Sequence, residues 1–378
     1  MMKRIKWNHY INYIVIGLLT VVLSAIALAG GHFDSSMLFL LEKVAISIIL
    51  AVSLSLVVGF LGELSLGHAG FMCVGAYLGG KVAALLEPAL GNGPLNFLIS
   101  LLVGAAVAAL CGIIIGIPAL RLRGDYLAIV TLAFGEIVRS VFQNTSDKSF
   151  GGAIGLDTPR FDRKHLFIIA FVLVLITLFV IQNLIRSKHG RAITSIRDNE
   201  IAARATGINV TKYKLIAFTL SATFAGIAGV LYSYSNYTVQ SAKFGYNYSI
   251  EILVMVVLGG MGNITGAILS ATLITFLNTK LATVLTGDLA VLQNLLYALI
   301  LIVIVIYNNA PALKNFRDKY NLKALAKKII RHKHDPARVK DDEAKWDVVP
   351  TKIEMNEILS IDVTSQEQQD LTGKGGDE

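Results

Sequence analysis

The sequence predicts an all-α polytopic membrane protein with about 8–10 transmembrane helices, some of them broken or re-entrant. Two features of its composition support this fold class: 54% of the 378 residues are hydrophobic, and only 16% are charged. Soluble domains carry about 25% charged residues, so the low proportion of charge argues against an ordinary globular protein. The net charge of +8 comes from basic residues beside apolar runs, which indicates membrane topology rather than nucleic-acid binding.

The clean apolar runs are long enough to cross a bilayer, which takes about 20 residues. The first run, Ile11–Gly30, follows a basic start, so the amino terminus is expected on the cytoplasmic side. A signal peptide is the alternative, because Ala27-Leu28-Ala29 places small residues at the end of the run. The other clean runs predicted as spans are Met37–Phe60, Leu95–Leu120, Leu166–Ile185, Leu215–Tyr234 and Leu289–Tyr307.

Two further apolar segments are interrupted by glycines and are predicted as broken or re-entrant helices. The first is Leu64–Leu86, and the second is Ile250–Leu285, which either crosses twice or dips in and returns. Glycine-broken segments in the two halves of a transporter indicate a central translocation path. The residues of these segments expected along the path are Gly67, His68, Gly70, Gly75, Tyr77, Gly259, Gly260 and Gly262. His68 has a plainer alternative as a hydrogen-bonded packing residue, because nothing nearby has metal-ligand spacing.

A helix that opens at Gly124-Asp125-Tyr126 adds Thr131 and Glu136 to the predicted path. An acidic residue within a span is costly in lipid, so Glu136 should face protein or a water-filled path. Its alternative role is that of a structural partner for a nearby arginine close to the end of the helix.

The long polar stretch Arg186–Lys214 lies between two apolar runs, and its basic residues outnumber its acidic ones. A short loop this basic is expected on the cytoplasmic face. Within it, Asp198–Gly207 predicts one short helix, with Asp198 capping its first turn and Gly207 ending it. Such a helix has a suitable shape for docking in a partner's groove. The alternative is an ordinary basic loop that only fixes the topology.

The composition of the carboxyl-terminal part of the sequence changes from apolar to basic and then to acidic. A transmembrane domain is predicted over residues 1–310, followed by a basic juxtamembrane segment at 311–334 that suits an anionic membrane surface. Residues 335–378 are acidic and poor in aromatic residues, so we expect a disordered cytoplasmic tail.

Several sequence motifs, taken in order, resemble those of a known transporter family. Glu200, Ala202, Ala203 and Gly207 are similar to the E-A-A…G loop of ABC importer permeases, the element that docks on the ATPase subunit. The stretches around it resemble the LivM-type permeases of branched-chain amino acid ABC importers. These stretches are LSLGHAGFMCVGAY (Leu64–Tyr77), RLRGDYLAIVTLAFGEIVR (Arg121–Arg139), GGAIGL (Gly151–Leu156) and LGGMGNITGA (Leu258–Ala267).

The resemblance implies an ABC importer permease fold in a bacterial cytoplasmic membrane, with both termini cytoplasmic. It also implies two ATP-binding subunits, a second homologous permease subunit and an extracytoplasmic substrate-binding protein that delivers leucine, isoleucine or valine. The residues expected to couple this chain to the ATPase are Asp198, Glu200, Ala202, Ala203, Arg204 and Gly207.

Motifs for chemistry are missing from the sequence. It has no G-x-x-x-x-G-K-[ST] phosphate loop, no H-E-x-x-H and no Cys/His cluster, so we expect a transport subunit without enzyme activity or cofactor. Two alternatives stay open. One is a stand-alone secondary carrier or channel, although an obvious intramembrane ion relay is lacking. The other is an ABC permease for another small solute, such as a sugar or nucleoside.

Overall fold

The computed structural model describes residues 16–17, 34–122, 124–159, 161–284, 298–299 and 302. The predicted spans Ile11–Gly30 and Leu289–Tyr307 fall mostly outside these residues, and the predicted segments 311–334 and 335–378 fall wholly outside them. The helices of the described part are α1 (Ser35–Ser55, continued by a π-helical stretch at Leu56–Leu61), α2 (His68–Leu90), α3 (Pro94–Ala119), α4 (Asp125–Gln143), α5 (Asp147–Phe150), α6 (Arg163–Arg186), α7 (Lys188–Asp198), α8 (Glu200–Ala205), α9 (Val210–Asn236), α10 (Tyr246–Gly259) and α11 (Ile264–Val284).

Among these described helices, six are long and apolar enough to cross a membrane: α1 with its π-helical end, α2, α3, α6, α9 and α11. The prediction of an all-α polytopic membrane protein is confirmed. Two more predicted spans lie mostly outside the described residues. Helix α4, which carries Asp125, Glu136 and Arg139, is not among these six.

Helices α1 and α9 form the centre of the described fold. Helix α1 packs against α6, α9 and α11, while α9 also packs against α2 and α3. Since α1 is apolar on every side, it suits this buried position. Helix α3 instead leaves a row of large apolar side chains exposed, including Leu102, Leu110 and Ile114, as expected of a helix whose outer face meets lipid.

The first predicted interruption lies earlier in the chain than expected. Helix α2 is continuous from His68 to Leu90, and the non-helical part is 62–67. The glycines within α2 allow close helix packing, because a Cβ added at Gly75 would overlap the backbone of Gly226 in α9. In a single sequence, a glycine that breaks a helix cannot be distinguished from one that permits close packing. This is why a broken segment was predicted where the structure has a continuous helix.

The second predicted interruption is a helical hairpin. The α10–α11 pair is antiparallel, since Ser270 donates to the carbonyl oxygen of Met255 and Asn278 donates to Glu251 at 3.1 Å. The turn between the helices, Gly260–Asn263, contains glycines with φ of +89° and +80°. Helix α10 has 14 residues, which is about 21 Å of helix and shorter than the about 30 Å hydrocarbon core. Helix α10 alone is therefore too short to cross, whereas α11 is long enough. The choice between crossing twice and dipping in and returning stays a prediction.

A short antiparallel ladder joins two connections at the opposite end of α9 from α8. Strands β1 (Leu156–Asp157) and β2 (Thr238–Val239) pair Leu156 with Val239 and Asp157 with Thr238. The ladder ties the loop after α5 to the residues that follow α9.

Candidate functional site

The polar stretch predicted to couple to a partner folds as two helices, α7 and α8, rather than one. Asp198 ends α7, and Asn199 caps α8 by accepting a hydrogen bond from the backbone N–H of Ala202 at 3.0 Å. The predicted cap at Asp198 is therefore wrong. Asn199 has the extended backbone (φ −159°, ψ 103°) that an N-cap requires, while Asp198 is still helical and pairs with Arg197 at 2.9 Å.

Gly207 ends α8 as the sequence predicted. Its φ is +86°, a left-handed conformation that favours glycine. The backbone N–H of Gly207 donates to Arg204, and that of Ile208 donates to Ala203, both at 3.1 Å. This pair of bonds is a Schellman motif, which satisfies the last carbonyl groups of the helix.

Helix α8 has one face turned into the protein and one face turned outward. Ala203 is buried on the inner face, whereas Ala202 and Ala205 are exposed. Ile201 is 75% exposed, although it is the largest apolar side chain of this helix. A capped helix with an exposed isoleucine followed by alanines offers a small apolar surface of the kind that fits a groove.

The inner face of α8 is held by a buried ionic cluster. The ammonium of Lys214, near the start of α9, pairs with Glu63 and lies 3.2 Å from Glu200. Glu200 also accepts from Arg204 at 2.8 Å. The Lys214 side chain is only 3% exposed and Glu63 is 12% exposed, so water screens this pair weakly. Since Glu63 follows the π-helical end of α1, the cluster links α8 to α1 directly.

Arg197 makes a second link between α7 and the same end of α1. Its Nη1 donates to the carbonyl oxygen of Gly59 at 3.1 Å, and its side chain lies over Gly62. Gly262, in the α10–α11 turn, lies against Gly59. The end of α1 and the turn between α10 and α11 thus meet next to Arg197.

Four of the predicted path residues come together where α2 begins beside α4. His68 Nε2 lies 2.9 Å from the hydroxyl of Ser53, and Thr131 Oγ1 accepts from the backbone N–H of Leu66 at 3.0 Å. A Cβ added at Gly67 would approach the carbonyl oxygen of Thr131 at 2.5 Å, and one at Gly70 would approach Cα of Gly135 at 2.7 Å. His68 therefore has the hydrogen-bonded packing role given as its alternative, and no group of three or more His, Cys, Asp or Glu in the described part could hold a metal ion.

The other predicted path residues lie elsewhere. Tyr77 is buried and donates to the carbonyl oxygen of Val239 at 3.0 Å. Glu136 pairs with Arg139 at 2.7 Å and accepts from the backbone N–H of Tyr246 at 2.8 Å, so it has the arginine partner that the sequence suggested. Gly75 packs on α9, Gly259 packs on α11, and Gly260 and Gly262 form the hairpin turn. Their assignment to a translocation path stays a prediction.

Sequence reasoning missed four features that shape the α7–α8 region: the cap at Asn199, the exposed Ile201, the partner Glu63 and the burial of Lys214. The signal for Ile201 was present, because it is the one large apolar residue between Glu200 and Ala205. The pairing of Glu63 with Lys214 joins residues 151 positions apart, and nothing in one sequence indicates it.

A family model and several known proteins match the chain. The family described as "Branched-chain amino acid transport system / permease component" matches residues 36–306. The high-affinity branched-chain amino acid transport system permease proteins LivM of Salmonella typhimurium and Escherichia coli are each 39% identical over 260 residues, which is 61% of this chain. The match spans 60% of the length of those two relatives. The ribose import permease protein RbsC of Escherichia coli is 27% identical over 320 residues, covering 78% of this chain and 92% of the relative. No solved structure matches the chain.

Proposed function

Because the chain belongs to the family of branched-chain amino acid transport permease components, we propose that it is a permease subunit of an ATP-driven importer. Its substrates are leucine, isoleucine and valine, and it acts in a bacterial cytoplasmic membrane. The observation that carries the proposal is α8, a capped helix with Ile201 outward and with Glu200 anchored inward to Lys214. This arrangement supports a docking element that is mechanically tied to the membrane helices.

In this proposal ATP hydrolysis takes place in two separate ATP-binding subunits. An external binding protein delivers the amino acid, and a second permease subunit completes the pore. Both termini and the α7–α8 region lie on the cytoplasmic side, where short basic loops are expected.

The proposed coupling runs through the two links described above. The ATPases press on α8, which moves Glu63 through Lys214, and α7 moves the end of α1 through the bond between Arg197 and Gly59. Bound ATP changes the pore only if the docked ATPases favour one of its two states. The links carry this preference to the pore, because they join α8 and α7 to the end of α1.

A second candidate is an importer for a small sugar. The specific observation that favours it is the alignment with 92% of the ribose import permease RbsC. The higher identity to the two LivM proteins favours amino acids.

The experiment that tests the proposed function is purification of the tagged full chain in mild detergent, followed by identification of every protein that copurifies. We expect two ATP-binding subunits and a second permease. Reconstituted with its binding protein, the complex should take up labelled leucine and not labelled ribose when ATP is supplied. A chain that purifies alone and moves solute in ATP-free vesicles is instead a carrier.

Replacing Ile201 with arginine is expected to release the ATPase subunits and leave the chain folded, because 75% of the side chain is exposed. The measurement is the ratio of ATPase to tagged chain after purification, which should fall about tenfold for a residue at the centre of a small interface. Lys212→Met changes an exposed side chain nearby and serves as the control. An unchanged ratio for Ile201→Arg would remove α8 from the docking surface.

Glu200→Ala and Gly207→Pro are expected to uncouple ATP hydrolysis from uptake while the chain stays folded. Glu200→Ala removes the carboxylate that joins α8 to Lys214, and proline cannot adopt the φ of +86° found at Gly207. The measurement is the number of leucine molecules imported for each ATP hydrolysed in proteoliposomes. Normal uptake by both variants would contradict the coupling role of α8.

A further inference from the structure

A cavity of about 580 Å³ lies between α1, α9, α10 and α11. It is formed by the parts of α10 and α11 that are remote from the Gly260–Asn263 turn, and by the first turns of α1. The cavity is therefore at the opposite end of the hairpin from Arg197 and the coupling helices. A volume of several hundred cubic ångströms is typical of small-molecule sites.

Charged groups of both signs line this cavity. Lys43 on α1, Lys243 just before α10 and Glu251 on α10 all contribute to the wall, and Lys43 lies within electrostatic range of the other two. Glu251 accepts a hydrogen bond from Asn278 at 3.1 Å, which orients its carboxylate. Two cations and one anion on one cavity wall suit a ligand that carries both charges.

The rest of the wall is mostly apolar, with Ile46, Phe244 and Met255 among the lining residues. It also contains Thr275, which is 7% exposed and whose Oγ1 has no hydrogen-bond partner among the residues that the structure describes. A buried hydroxyl without a partner is costly, so a ligand or water in the cavity is expected to satisfy it. The wall thus combines an apolar surface, opposed charges and an unused polar group.

We propose that this cavity binds a zwitterionic amino acid with an aliphatic side chain. The carboxylate of the ligand faces Lys43 and Lys243, its ammonium faces Glu251, and its side chain packs on Ile46 and Met255. The choice of amino acid class rests on the proposed function, whereas the need for both charges comes from the cavity wall. A lipid phosphate suits the site less well, because Glu251 repels it. The cavity gives the chain a holding site within a single subunit.

The test uses the purified full-chain complex without its binding protein, with labelled leucine as the probe. Leucinamide, which lacks the carboxylate, and N-acetylleucine, which lacks the ammonium, serve as competitors. We expect leucine to be retained and both analogues to compete about tenfold more weakly, because each analogue lacks one of the two charges that the cavity wall complements. Glu251→Gln should weaken the binding of leucine about tenfold and leave the binding of N-acetylleucine unchanged, since that analogue has no ammonium to pair with Glu251.

Lys43→Met should also weaken the binding of leucine, but it should leave the binding of leucinamide unchanged, because that analogue has no carboxylate to face Lys43. Lys280→Met is the control, because Lys280 is an exposed lysine of α11 that does not line the cavity. If leucine is not retained, or is retained equally by all variants, while the complete complex still imports leucine, the holding site is refuted and the proposed function stands. If the complete complex imports no branched-chain amino acid, the proposed function itself fails. If phosphatidylglycerol vesicles added to the complex release the labelled leucine, while the leucine analogues do not compete with it, the cavity is a lipid site and the proposal is overturned.

Discussion

Replacement of Lys214 by methionine is expected to reduce ATP-driven leucine uptake by about tenfold or more. Removing one partner of a buried ion pair costs about 3 kcal/mol, and a factor of ten corresponds to about 1.4 kcal/mol. The variant removes the cation that holds Glu63 and Glu200 together, while methionine keeps the length and apolar stem of the side chain. Glu63, which is 12% exposed, loses the ammonium that pairs with it, whereas Glu200 keeps its pair with Arg204 at 2.8 Å. The link between α8 and the end of α1 is then lost.

The measurement is leucine uptake by proteoliposomes, read together with ATP hydrolysis by the same preparation. Hydrolysis should persist while uptake falls, because Lys214 lies behind α8 and away from its exposed face. Lys212→Met, which alters an exposed lysine two residues earlier, is the matched control and should transport normally.

A double variant separates transmission from simple neutralisation of charge. Combining Lys214→Met with Glu63→Gln removes one stranded carboxylate, so the apparent melting temperature should recover. Uptake should stay low, since the connection between α8 and α1 is still missing. Full recovery of uptake in the double variant would show that Lys214 only neutralises buried acids.

The sequence was sufficient to predict the fold class and the position of most described spans. Hydropathy depends on local composition alone, and the predicted run Leu95–Leu120 differs from α3 by one residue at each end. The coupling helix was also predicted, together with Gly207 at its end, because caps and C-terminal glycines are local signals. Asp198 and Asn199 are both good capping residues, and only the backbone conformation decides between them.

The path residues were harder to predict, because their role depends on what lies opposite. Gly75 and Gly70 suggested a broken helix, yet each faces another glycine, Gly226 and Gly135 respectively. Lys214 looked like one more basic residue of a cytoplasmic loop, whereas its burial depends on Glu63 in a distant part of the sequence. Such contacts are properties of the folded chain and leave no pattern in neighbouring residues.

Gly229→Ala is expected to prevent stable assembly of α2 against α9. Alanine normally favours a helix over glycine by about 1 kcal/mol, so the change would be harmless on an open helix face. At this position the added Cβ would overlap the carbonyl oxygen of Met72 and lie 2.8 Å from the backbone nitrogen of Ala76. Backbone atoms of a neighbouring helix cannot rotate away as a side chain can. The helices must separate, at a cost of about 3 kcal/mol or more.

Gly135→Ala is the matched control, because Gly135 also lies within a helix facing glycines, but the nearest atom to its added Cβ is 3.8 Å away. That distance is ordinary van der Waals contact, so the helix propensity of alanine should decide the result and the variant should be as stable as the original or more so. The measurement is the apparent melting temperature of the detergent-purified chain, followed by size-exclusion chromatography. We expect Gly229→Ala to lose the monodisperse peak and Gly135→Ala to keep it. Equal melting temperatures for the two variants would mean that α2 and α9 do not pack backbone to backbone, and that the glycines of α2 have some other purpose, such as the translocation path predicted for Gly75.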